Sequence, residues 1–185
     1  MRKSLPFTGT IRDKDVQILA GLSVGLRSEY TDSGRIDWVR SPFAWIKTRP
    51  SRQVGKIGEQ LISGWCAARD LNVERSPDSE ADRVIEGQRV EIKFSTLWDI
   101  GVYTFQQIRN QNYQFLVCIG ISPFDAKAWI FKKSEIPFRR LSHQHGGKAG
   151  RDTWWLSFKP ESPPDWVRKQ PGKLSYVHRV LAGLR

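Results

Sequence analysis

The chain is short of cysteine and histidine, of long apolar runs, and of negative charge, and each shortage removes a class of protein. Its two cysteines, Cys66 and Cys118, lie in apolar runs, Gly64-Trp65-Cys66-Ala67 and Leu116-Val117-Cys118-Ile119. That setting favours buried free thiols in a reducing compartment over a disulfide. His143 and His145 stand two apart in a glycine-rich stretch, but no third ligand is evident and no cysteine is near, which argues against a zinc site. No apolar run approaches the roughly 20 residues that a membrane span needs. Met1-Arg2-Lys3 is basic, yet the apolar stretch of a secretory leader does not follow. Gly146 to Arg151 lacks the Gly-Lys-Ser/Thr ending of a nucleotide-binding loop. Internal repeats and low-complexity tracts are absent from the sequence as well. The expectation is a soluble, cytoplasmic protein with no membrane partner, of a prokaryotic or phage-encoded kind.

What is present is a globular composition and an uneven distribution of charge. The length of 185 residues suits one domain, with 39% hydrophobic and 26% charged residues placing it away from disordered chains. The formal net charge of +11 divides into +6 over residues 1–56, −4 over 57–100 and +9 over 101–185. Basic flanks suggest a polyanionic partner, because lysine and arginine displace counterions from phosphates. The acidic island between them is explained if its carboxylates hold a divalent cation while the flanks hold phosphates.

Apolar spacing predicts a weak helix over 15–26 and a short one opened by Ser41-Pro42, running through Trp45 and Ile46 and ended by Pro50. Over 54–71, Ile57, Leu61, Ile62, Trp65, Cys66 and Ala68 recur at helical spacing, marking an amphipathic helix. Residues 72–75, 82–86, 89–95, 114–121, 126–132 and 152–158 read as strands. Residues 103–111 read as a helix between strands, and 174–184 as a short C-terminal one. This order predicts an α/β fold with a central mixed β-sheet flanked by helices.

The two strands at 82–86 and 89–95 are joined by Gly87-Gln88, and glycine in first place suits a two-residue hairpin turn. Partners then have position numbers summing to 175, so Asp82 faces Lys93, Val84 faces Glu91 and Glu86 faces Arg89. Cross-strand partners share a face, which places Asp82, Glu91 and Lys93 together. Ile85, Val90, Ile92 and Phe94 take the other face, with Arg83 as its one polar member. Two carboxylates and an amine gathered in this way suit metal-assisted phosphodiester hydrolysis. Oxygen ligands favour Mg²⁺, and an amine stabilises charge on the phosphorane. The same Glu-Xaa-Lys on the wet face of an ordinary strand is common, so the tripeptide alone decides nothing.

An Asp on one strand followed by Glu-Xaa-Lys on the next, here Asp82 and Glu91-Ile92-Lys93, resembles the PD-(D/E)XK nuclease superfamily with its restriction-endonuclease-like core. Many members add a glutamate on the preceding helix, matching Glu59 in Gly55-Lys56-Ile57-Gly58-Glu59. They also place a glutamine-bearing helix after the motif, where Gln106 and Gln107 stand. The resemblance covers roughly residues 54–133. It implies that Asp82, Glu91 and the carbonyl of Ile92 ligate a catalytic Mg²⁺, for which Mn²⁺ substitutes. It further implies that Glu59 binds a second metal or a metal-bound water and that Lys93 positions the attacking water. Ala81 stands where the name-giving proline would be, and a Gln-Xaa-Xaa-Xaa-Tyr pattern carried by some members is missing. On this reading residues 1–53 are a basic extension packed on the core, 54–158 the nuclease core and 159–185 a basic C-terminal segment of one domain.

Gln106, Gln107, Arg109, Lys132, Lys133, Arg139, Arg140, Lys148 and Arg151 are the candidate DNA contacts. Of Trp154 and Trp155, one is expected in the core and one outward. The function implied is a Mg²⁺-dependent endonuclease of the restriction type acting on duplex DNA. Its rivals are a structure-specific nuclease for junctions, recombination or repair, and a non-catalytic nucleic-acid-binding module. Homodimers are common among enzymes with this core, though no dimerisation signature is evident in the sequence.

Overall fold

The apolar spacing after Val54 does form a helix, and that helix organises the rest. Residues 11–26, 38–98, 100–144 and 152–183 are described by the computed structural model. Helix α3 (Ser51–Ala67) starts at Pro50, whose φ of −55° is the angle its ring already imposes. It buries Ile57, Leu61, Ile62, Trp65 and Cys66 along one side. Helix α1 (Lys14–Leu26) lays Val16, Leu19 and Ala20 into the same core. Buried Asp15 is held there by the Arg69 guanidinium and by Trp65 Nε1 at 3.4 Å. The short helix α2 (Ala44–Lys47) begins later than Ser41-Pro42 suggests. Ser41 Oγ accepts from the amide of Phe43 at 3.0 Å, a local turn that delays the first helical residue.

The strands are β1 (Val73–Arg75), β2 (Arg83–Ile85), β3 (Gln88–Thr96), β4 (Tyr103–Ile108), β5 (Phe115–Ser122), β6 (Asp125–Lys132), β7 (Ser142–Gln144) and β8 (Thr153–Phe158). Five of them form a mixed sheet in the order β1-β2-β3-β5-β6, with β3 and β5 parallel and the other neighbours antiparallel. Period-two alternation divides this sheet between two cores. Val90, Ile92 and Phe94 of β3, alternate residues of β5 from Phe115 to Ile121, and Ala126, Ala128 and Ile130 of β6 meet the helices. Leu174, Val177 and Leu181 of helix α5 (Leu174–Ala182) close that core over β6. On the opposite face Leu116, Cys118, Trp129 and Phe131 pack on Tyr103, Phe105, Leu156 and Phe158 of a second sheet, ordered β4-β8-β7. Helix α4 (Asp165–Arg168) adds Val167 to this second core. The fold is therefore α/β with a mixed central sheet, helices α1, α3 and α5 on one face and a small sheet with the short helix α4 on the other. Both cysteines are buried and free, and among the described residues no helix is long and apolar enough to cross a membrane.

Two sequence expectations are corrected here. Residues 103–111 are not a helix: Tyr103–Ile108 is strand β4, paired antiparallel with β8. Aromatic and β-branched residues dominate its first half, and Tyr103 and Phe105 alternate into the second core, as a half-buried strand requires. The connection between parallel β3 and β5 is thus made by a strand rather than by the usual crossover helix. The hairpin turn is likewise displaced. Its register pairs Arg83 with Val90, Val84 with Arg89 and Ile85 with Gln88, so the turn residues are Glu86 and Gly87. Both have positive φ, 48° and 75°, the signature of a type I′ turn. Asn72 offsets the strain at Glu86 by donating its amide to Glu86 Oε1 at 2.8 Å and accepting the Glu86 amide at 3.0 Å. Pairs now sum to 173 rather than 175. A slip of two leaves every side chain on its expected face, and Asp82 lies just outside the pairing, which begins at Arg83, instead of facing Lys93.

Candidate active site

Asp82 lies just before β2, where the strand pair is about to open. Its amide still donates to the carbonyl of Val90 at 3.1 Å, and its Oδ2 accepts from the amide of Ile92 at 2.7 Å. The carboxylate thereby caps the edge of β3 at the level of Glu91. Glu91 is 4% exposed, although it is a glutamate on a sheet face. Burial pushes its carboxyl above the usual carboxylate range. Lys93 opposes that shift with its charge, and the charge of Asp82 adds to it. Lys93 Nζ stands 2.5 Å from Glu91 Oε1, so in the protein as it stands this amine balances the carboxylate pair.

Glu59 approaches from α3. Its Oε2 accepts from Lys56 Nζ at 2.8 Å and lies 3.6 Å from an Arg83 guanidinium nitrogen. Arg83, the polar exception on the apolar face, joins these pieces. Its Nε donates to Ser63 Oγ on α3 at 2.9 Å and its Nη1 to the carbonyl of Asp82 at 2.6 Å. One side chain thus ties the helix bearing Glu59 to the residue bearing the second carboxylate. The sequence marked Arg83 as out of place without revealing this role.

Glu59, Asp82, Glu91, Ile92 and Lys93 all line one cleft of about 990 Å³, together with Gln106, Gln107 and Arg109. The side chain of Ile92 is in the core, so its backbone is what it presents to the cleft. Gln106 and Gln107 reach the cleft from β4, where a bulge between Phe105 and Ile108 sets Gln107 at φ 55°, and Arg109 reaches it from just after that strand. Lys47, Arg49, Arg52 and Lys56 form the remaining basic wall. Sequence reasoning missed these four. The only signal was the net charge of the first 56 residues, which does not say which lysines and arginines converge. Lys132 and Lys133 line a separate depression of about 740 Å³, and the Lys133 amine is committed to the carbonyl of Gln111. Arg139 and Arg140 sit on a single 3₁₀ turn outside the cleft. His143 is in β7, 3.2 Å from Asp152, whereas Lys148, Arg151 and His145 fall outside the described residues. Trp154 and Trp155 are both half-buried, and Trp154 packs on Phe138 with ring centroids 4.9 Å apart.

The donor set fits a hard divalent cation of the Mg²⁺ kind better than a transition metal held by the protein alone. Among the described residues no three His, Cys, Asp or Glu side chains gather to make a cage. Mg²⁺ keeps several waters and needs only one or two carboxylates. Asp82 and Glu91 are the two carboxylates that could hold such an ion, and the charge of Lys93 opposes the effect of the Asp82 charge on Glu91. No family model and no curated protein matches this chain, so its function has to be read from these side chains.

Proposed function

We propose that this protein is a Mg²⁺-dependent DNA endonuclease of the PD-(D/E)XK type, hydrolysing phosphodiester bonds. The observation that carries the reading is the buried carboxylate of Glu91, within the field of Asp82 and 2.5 Å from Lys93, in a cleft with a basic wall. A buried glutamate beside a second carboxylate contributes nothing to stability that an apolar residue would not contribute better. Its placement makes sense as ligand chemistry.

Asp82, Glu91 and the backbone of Ile92 would hold the cation, which supplies polarisation of the phosphate and acidification of a bound water. Arg49, Arg52, Lys56 and Arg109 draw the sugar–phosphate chain into the cleft. Lys93 donates from its ammonium to the attacking water or to a non-bridging phosphate oxygen, so negative charge developing there meets a fixed positive one. Glu59, anchored by Lys56 and Arg83, orders water on the helix side of the cleft. Arg83 keeps Asp82 and α3 in register while this occurs.

Purified protein with Mg²⁺, or with Mn²⁺ in its place, is expected to cleave plasmid DNA. Glu91→Ala and Lys93→Ala should each lower cleavage at least roughly a hundredfold. DNA binding in the absence of metal should persist in both variants, as judged by anisotropy of labelled oligonucleotides. Undiminished cleavage by Glu91→Ala would refute the assignment. Discrete fragments from a long duplex favour a restriction activity, and cleavage confined to branched DNA favours a structure-specific one.

A further inference from the structure

Large apolar side chains exposed to solvent are few among the described residues: Val24, Val39, Trp98, Ile100 and Phe124. Two of the five share one turn, the connection from β3 to β4, where Trp98 is 43% and Ile100 71% exposed. That turn is tight. The amide of Trp98 donates to Val102 O at 2.9 Å and the amide of Gly101 to Trp98 O at 2.8 Å. Its base is held from two sides, by the Leu97 amide on Ile121 O at 2.8 Å and by Lys47 Nζ on Leu97 O at 2.9 Å. The turn therefore presents an indole and a branched alkyl group above a hydrogen-bonded base. Trp98 also lines the cleft that holds Glu91 and Lys93, where Arg49, Arg52, Lys56 and Arg109 supply charge for a polyanion.

An exposed indole in a cationic cleft matches the two parts of a nucleotide, the ring of the base and the charge of the phosphate. A partner protein would find the apolar tip, but would gain nothing from the arginines and lysines beside it unless it were acidic. We propose that the turn carrying Trp98 and Ile100 is a stacking wedge for an unpaired or unstacked base. The substrate class of the site is then DNA whose stacking is interrupted, at a branch, flap, gap or mismatch, rather than perfect duplex. This rests on the nuclease reading for its cleavage consequences, but the stacking itself does not need catalysis. Lys93 and Trp98 are five residues apart, so their Cα atoms are at most about 18 Å apart at roughly 3.6 Å per residue. That distance corresponds to about five duplex steps of 3.4 Å. The interrupted position should therefore lie within about five nucleotides of the cut.

The test is binding by the intact protein in EDTA to two oligonucleotides of one sequence, one fully paired and one flapped, each with 2-aminopurine at the junction. The wild type is expected to prefer the flapped molecule and to quench its 2-aminopurine. Trp98→Ala should reduce that preference roughly tenfold, and Trp98→Phe should retain most of it. Equal affinity of the wild type for both molecules overturns the proposal, as does a preference that Trp98→Ala leaves unmoved. Loss of self-association in Trp98→Ala by sedimentation, with the preference intact, assigns the patch to a second copy and also overturns it. Cleavage with Mg²⁺ is read separately: a protein that prefers flapped DNA but cuts none retains the wedge and loses the nuclease reading. One that cuts at junctions more than about ten nucleotides away loses the wedge alone.

Discussion

Replacing Gly58 by alanine is expected to destabilise the protein by about 2 kcal/mol, although alanine is the better helix former. A Cβ at Gly58 would lie 2.2 Å from Phe94 Cβ and 2.3 Å from Phe94 Cγ. Carbon atoms rest at roughly 3.5–4.0 Å, so the overlap exceeds 1 Å. Phe94 cannot swing aside, because the atoms struck are the stem of its side chain, next to the backbone of β3. Either α3 or β3 must move. Overpacking of this kind costs about 1–3 kcal/mol, here at the upper end, and the helix propensity of alanine returns about 1 kcal/mol. Gly55, one turn earlier on α3, provides the control, since nothing lies within 4 Å of its Cβ position. There the propensity gain stands alone, about 1 kcal/mol of stabilisation. In a chain of this size the two variants should melt about 4–8 °C below and 2–4 °C above the wild type, followed by far-ultraviolet circular dichroism. Because Gly58 precedes Glu59 and Phe94 follows Lys93, any separation of α3 from β3 widens the cleft, so Gly58→Ala should also lose cleavage. The reasoning fails if the two alanines shift the midpoint in the same direction by similar amounts.

Arg83→Met removes three polar contacts while keeping the stem. It should cost about 1–3 kcal/mol in urea denaturation, with a loss of cleavage larger than the stability loss explains; parallel losses would assign Arg83 to the scaffold alone. DNA binding should weaken roughly a hundredfold between 50 and 200 mM salt if Arg49, Arg52, Lys56 and Arg109 each neutralise a phosphate, and a flat titration contradicts the basic wall. The buried Glu91 carboxyl titrates above the usual carboxylate range, chiefly through burial. The fold therefore favours its neutral form, and its contribution to stability is complete below the ordinary glutamate range and lost as pH rises through the raised value. Mg²⁺ affinity runs the other way, weakening as pH falls through that raised value; calorimetry showing constant affinity down to the ordinary range would contradict it.

The faces of the hairpin could be read from the sequence, but its turn could not. Alternation depends only on parity, and parity survives a slip of two, so Asp82, Glu91 and Lys93 were placed together by a register that was wrong in detail. The turn itself was decided by Asn72, a residue fourteen positions before Glu86, whose two hydrogen bonds permit a glutamate in the left-handed region. The misreading of β4 has a similar origin. Its glutamines and a bulge break the alternation after Phe105, and what holds it extended is β8, about fifty residues later, together with Ser95 Oγ accepting the Thr104 amide at 2.9 Å. Such non-local partners leave no trace in local periodicity. The buried thiols and the long helix were legible because both depend on nearby apolar residues.

The charge map requires a more specific account than basic flanks around an acidic island. Of the six basic side chains lining the cleft, Lys47, Arg49, Arg52 and Lys56 come from the first 56 residues and Lys93 from the acidic segment itself. The C-terminal stretch carries the largest excess, +9, yet among the described residues it contributes only Arg109 to that wall. The end of α2 and the first turns of α3, rather than the most basic part of the chain, therefore supply most of the positive charge beside the carboxylates. Lys132 and Lys133 line a separate depression at the ends of β5 and β6, away from the cleft. Charge that is remote from the chemistry lengthens the footprint and raises the salt dependence without touching the reaction. Substituting Lys132 should accordingly weaken binding and leave the metal dependence of cleavage as it is, whereas substituting Arg52 or Lys56 should affect both.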